Sequence, residues 1–245
     1  MKKTLALALL SVALAALKVD AQDAPAINAS LQTLGLGVSY DDLYLQQSGG
    51  RHVRLPVRTD FMSDTKINYT GPLSAPILRR VGSGKDASYV PVGSVRFPAP
   101  ASGLPAEFIL IFPRGGPVLA PALVRNDRTS FPGDSVRVIN TLARPAAILV
   151  QKTAQMMQPG EVRIFPSSAS DRLVEVHVAL PRKNRWTEVC NNVFPLAAEY
   201  RRTIFIIDCT PAQASAARRP VITLLTLAQS EAQKTAMAAD AHGDL

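Results

Sequence analysis

The chain has 245 residues, with 27 lysines and arginines against 19 aspartates and glutamates, for a net charge of +8. That length can bury a core without metals or many crosslinks, and 19 prolines exclude an architecture of long helices. The charge favours anionic partners over cationic ones, although a basic balance is also a common route to solubility.

At the N-terminus, Lys2 and Lys3 precede an apolar stretch over residues 5–17, and Val19 and Ala21 complete a small-residue cleavage pattern. Residues 1–21 therefore read as a signal peptide cut before Gln22, with the mature protein exported to the periplasm or beyond the cell. The apolar stretch falls short of the roughly 20 residues that cross a bilayer as a helix. No later run approaches that length, so no transmembrane helix is expected in the mature chain. Residues 22–50 are small and polar up to the Gly49-Gly50 break and read as a leader or loose first strand.

Short apolar or alternating runs then recur, bounded by Pro, Gly, Asn and Asp. Strands are predicted over 43–47, 52–57, 66–69, 77–81, 94–97, 107–112, 118–124, 135–140, 147–151, 161–165, 173–180, 185–189, 203–207 and 221–227. In 173–180 the residues Val174, Val176, Val178 and Leu180 form one apolar face, as a half-buried strand requires. The runs 108–112 and 204–207 are apolar throughout, as in central strands covered on both faces. Pro132-Gly133-Asp134 and Pro159-Gly160-Glu161 place a φ-fixing proline and a permissive glycine where the chain reverses. The expected fold is all-β, an antiparallel β-sandwich of immunoglobulin-like or similar type. It occupies 51–228 as one domain, with 98–105 as the place where it would divide, followed by a tail over 229–245 that is a frayed helix or disordered.

Cys190 and Cys209 are the only cysteines, an even count in an exported chain, and are expected to form a disulfide. No close pair of the redox type is present. The three histidines, His52, His177 and His242, stand apart and show no metal-ligand spacing, so no metal or cofactor is expected. Gly133-Asp134-Ser135 lacks the second glycine of a nucleophile elbow and reads as a turn. Carboxylates are scattered beside turns, and nothing selects a catalytic pair.

The remaining candidates are basic residues near rings: Arg182, Lys183, Arg185 and Trp186, with Tyr200, Arg201 and Arg202 further on. Aromatic faces beside guanidinium groups suit sugars and anions, whereas the plainer reading is a solvated hairpin with Trp186 packed on its sheet. The expected function is a non-enzymatic exported binding module for an anionic envelope polymer or another envelope protein, with nucleic acid an unfavoured partner. The alternatives are a carbohydrate-active enzyme with an unrecognised carboxylate pair, and a structural component that assembles through an exposed strand edge.

Overall fold

The computed structural model describes residues 26–99, 106–114, 118–167, 173–196, 200–208 and 222–229. The signal segment 1–21, the tail beyond Gln229, Cys209 and most of the 98–105 stretch lie outside the described residues. The chain is all-β, with four four-stranded sheets that are mostly antiparallel, and no α-helix occurs among the described residues.

The first half of the chain builds two sheets. An inner sheet contains β1 (Ala26–Gly35), β4 (Ile67–Pro72), β7 (Ala106–Phe112) and β8 (Ala122–Arg125) in the order β4-β1-β7-β8. An outer sheet contains β2 (Leu43–Gln46), β3 (His52–Arg54), β5 (Ser74–Val81) and β6 (Ser88–Arg96) in the order β3-β2-β5-β6. One core lies between them, drawn from Leu31, Phe108 and Leu110 on the inner sheet and Leu43, Leu45 and Ile77 on the outer.

The second half repeats this plan. Its inner sheet is β12-β9-β15-β16, with β9 (Ser135–Asn140), β12 (Val162–Pro166), β15 (Arg201–Asp208) and β16 (Ile222–Gln229). Its outer sheet is β11-β10-β13-β14, with β10 (Ala146–Val150), β11 (Thr153–Met157), β13 (Leu173–Arg182) and β14 (Arg185–Pro195). Adding eight to each strand number of the first half reproduces every pairing of the second. The parallel pair β1 with β7 recurs as β9 with β15. The register shift in β5–β6 at Ile77/Leu78 recurs in β13–β14 at Val178/Ala179.

That shift makes Val92 the extra residue on β6 and Val189 the extra residue on β14, and both pack on their cores. A bulge fixes register and twist locally, so its recurrence aligns the two halves residue by residue. Gly93 and Cys190 are then equivalent, as are Tyr89 and Trp186. At Gly93 the first half is closed: Leu119 donates its N–H to Val92 O at 2.7 Å, and a Cβ on Gly93 would sit 1.9 Å from Leu119 O. Only glycine lets the β7–β8 connection approach that closely.

A third apolar cluster joins the halves. Leu34, Ile109, Ile111 and Val124 face away from the first core and meet Ile139 and Phe205, which face away from the second. Both central strands are thus covered on both faces, which is why 108–112 and 204–207 are apolar throughout. The alternation in 173–180 also holds, with Val174, Val176, Val178 and Leu180 in the second core.

Two strands differ from expectation. Residues 26–35, within the segment read as a leader or loose first strand, form β1, the strand at the heart of the first inner sheet rather than a loose one. Its inward residues Ile27, Ala29 and Leu31 alternate with Asn28, Ser30 and Gln32, but an alanine and three polar residues dilute the signal. β11 follows a turn at Gln151-Lys152, where Gln151 takes a φ of 54° without the glycine or asparagine that normally marks it. Each inner sheet also contains one parallel pair, a long-range feature that local rhythm does not encode.

Candidate binding surfaces

The β13–β14 hairpin turns through Lys183 and Asn184, with Arg182 paired to Arg185 and Lys183 at a φ of 52°. Two adjacent turn residues, one with positive φ and one an asparagine, form a tight hairpin that throws its flanking side chains outward. Arg182, Lys183 and Arg185 are exposed and line an open groove of about 750 Å³ with Asn184 and Thr187. None of the three cations has a carboxylate partner among the described residues. Trp186 follows at 42% exposure, opposite Pro181, so it is not a core side chain. Thr187 contributes a buried Oγ1 without a hydrogen-bond partner among the described residues.

The other three candidates stand elsewhere. Arg202 donates to Pro195 O at 2.6 Å, and Pro195 pairs with Leu173 at the far end of β13. Nine residues of strand separate that end from Arg182, roughly 30 Å at the usual rise. Arg202 also lies 5.7 Å from the Phe194 ring, and burial lowers its pKa. Tyr200 packs against the second core. The sequence grouping therefore splits into an exposed tip and, at the opposite end of the second half, a set in which Tyr200 and Arg202 are half-buried and Arg201 is buried.

Arg201 is 1% exposed and belongs to a feature that the sequence reading missed. It donates from Nη1 to the carbonyls of Asn126 at 2.9 Å and Phe131 at 3.0 Å. Arg137, also 1% exposed, donates to Arg125 O at 2.6 Å, to Asn126 Oδ1 at 3.0 Å, and from Nε and Nη2 to Thr203 Oγ1. Both guanidiniums flank Phe131, at 4.1 Å for Arg137 and 5.3 Å for Arg201. Burial, then the neighbouring Arg201 charge, push the Arg137 guanidinium down to about 9. Residues 125–131 form the connection between the halves, so two buried arginines of the second half hold that connection by its carbonyls. The available signal was Arg137 inside Val136-Arg-Val-Ile, a charge in a strand with no polar face.

His177 faces outward on β13 between Glu188, 3.1 Å from Nδ1, and Glu175, 2.9 Å from Nε2. The hydrogen bond to Glu188 and then that to Glu175 raise its pKa above the ordinary imidazole value. The ring thus offsets charge between two exposed carboxylates on an open sheet face. Groups of three or more potential metal ligands are absent among the described residues. Ser135 donates its hydroxyl to Pro132 O at 2.6 Å, and Asp134 has a φ of 51°, so Gly133-Asp134-Ser135 forms a turn.

Cys190 has no disulfide partner among the described residues; it is half-buried against the second core, with its Sγ accepting from Asn192 Nδ2 at 3.3 Å. Burial and then the Glu188 charge push its pKa up, which disfavours the reactive thiolate. The expected partner, Cys209, lies outside the described residues. No helix among the described residues is long and apolar enough to cross a membrane. No protein-family model matches the chain, and no curated protein matches its sequence.

Replacing Arg137 with Met is expected to cost about 2–3 kcal/mol, because Asn126 Oδ1 and the Arg125 carbonyl lose a buried donor. Arg137→Lys should recover little, since an ammonium cannot reproduce the planar fork. A denaturant midpoint unchanged in Arg137→Met would contradict this reading.

Proposed function

We propose that the mature protein is an exported, non-enzymatic pair of β-sandwiches that binds an anionic envelope polymer through the β13–β14 hairpin. The observation that carries this reading is the tip itself: three exposed cations without carboxylate partners among the described residues, beside an exposed tryptophan. Guanidiniums form paired hydrogen bonds with carboxylate or phosphate groups, and an open ring face stacks on sugars. Exposure keeps each contact weak and salt-sensitive, which suits capture of a repetitive polymer by many small interactions. Residues 22–245 carry 24 lysines and arginines against 18 aspartates and glutamates, and this net charge of +6 acts in the same direction.

The domain organisation follows the duplication, with one sandwich ending at β8 and the other beginning at β9. A disulfide between Cys190 and Cys209 forms part of the proposal. Cys190 occupies the place of Gly93, where the first half ties β6 to the β7–β8 connection by a backbone contact. Cys209 opens the corresponding connection after β15, and Asp208 before it pairs with Arg144. Arg144 precedes β10, the strand that pairs through Ile148 with Val178, the partner of Cys190. A bond there would fasten β14 as glycine packing fastens β6.

Two measurements test these statements. Purified mature protein should retain an acidic polysaccharide at low salt and release it at moderate salt. Replacing Arg182, Lys183 and Arg185 together by alanine should weaken retention at least tenfold while leaving thermal stability unchanged, and undiminished retention would overturn the site. For the disulfide, the denatured, unreduced protein should show no reactive thiol, and two reactive thiols per chain would refute the bond.

A further inference from the structure

We propose that the first half carries a second glycan-binding site at the place equivalent to Trp186, so that the protein grips an acidic polysaccharide at two points. This inference rests on the hairpin reading above and adds the ligand's repetitive character. The bulges align the halves: Tyr89 lies three residues before Val92, as Trp186 lies three before Val189. Tyr89 is 36% exposed and Trp186 42%, on the two outer sheets that face away from the contact between the halves. An exposed aromatic side chain recurring at one position of a duplicated fold is more than a scattered surface apolar residue.

Around Tyr89 the first half has assembled a small aromatic face. The His52 ring lies 4.1 Å from Tyr89 at a 37° tilt, and Tyr44 stands 5.0 Å away at 81°. None of these rings belongs to the first core or packs against it. Arg80 pairs with Tyr89 across the hairpin, is exposed, and has no carboxylate partner among the described residues. Arg54 and Arg79, by contrast, engage Asp41 and Asp42. The face therefore offers ring surface for the C–H side of a sugar and the Arg80 guanidinium for its carboxylate.

Charge selects an anionic ligand, and ring geometry selects a glycan over a single-stranded nucleic acid. Successive bases need a row of open, parallel ring faces, whereas Tyr44 stands nearly perpendicular to Tyr89 and His52 leans over it. Two equivalent sites on halves joined by a shared apolar cluster fit a polymer with a repeating unit. Linking them raises apparent affinity by about 10²-fold or more over either site alone, provided the polymer spans both.

Titration calorimetry with an octamer of galacturonic acid and with long polygalacturonate tests the proposal. The intact mature protein is expected to bind two octamers per chain. Tyr44→Ala/Tyr89→Ala should leave only the site at Trp186, Trp186→Ala should leave only the site at Tyr89, and either should weaken polymer binding about 100-fold. Arg80→Glu keeps the rings in place and should also remove one octamer, which guards against misfolding of the aromatic variant. One octamer per chain, lost in Trp186→Ala and untouched by the changes at Tyr44, Tyr89 and Arg80, would overturn the second site while leaving the hairpin reading intact. Absence of octamer binding would overturn both, and tighter binding of a single-stranded oligonucleotide of equal charge would overturn the ligand class.

Discussion

The relation between the two halves depends on the Arg137 and Arg201 guanidiniums, buried against one another around Phe131. Taking a guanidinium out of water is costly, and two close together add repulsion. The arrangement persists because Arg125, Asn126 and Phe131 supply carbonyl and amide oxygens, Thr203 supplies its hydroxyl, and the ring supplies its face. These acceptors lie largely on the segment that joins the halves. The connection is therefore held as a packed element that sets how the first inner sheet meets the second, with the apolar cluster at Ile109, Ile139 and Phe205 completing the contact.

The duplication acquires its consequences from that lock. Once the inner sheets face each other, the outer sheets and their hairpins are the surfaces left to solvent. The halves have filled equivalent positions differently. Gly93 closes the first half through backbone contact where the second has Cys190. Arg80 stands opposite Tyr89, while Pro181 stands opposite Trp186 and the cations move to the tip. What persists is an exposed aromatic residue with free basic groups nearby.

Legibility in the sequence followed locality. The strand over 135–140 and the alternation in 173–180 were readable because strand sterics and burial act on adjacent residues. The doubly apolar runs in β7 and β15 marked central strands for the same reason. β1 was legible only as a leader or loose first strand because small and polar residues diluted its pattern, and β11 escaped notice because its turn lacks glycine. Arg201 was grouped with exposed basic residues because sequence proximity to Tyr200 and Arg202 says nothing about which face of a strand meets the other half. The duplication was invisible because equivalent places hold unlike residues, such as Gly93 with Cys190, and only pairing and register reveal them. Among the binding candidates, the Arg182–Arg185 tip was readable as a basic hairpin between two strand runs, whereas the ring cluster brings Tyr44 and His52 of the β2–β3 hairpin to Tyr89 of β6, which lies far along the chain.

The most direct test of a rigid pair locked by buried arginines is the orientation of the halves in solution, read from residual dipolar couplings of backbone amides in weakly aligned protein. The lock predicts that couplings from both halves fit one alignment tensor in the wild-type protein, and that Arg137→Met requires two. Separate tensors for the halves of the wild-type protein would contradict it.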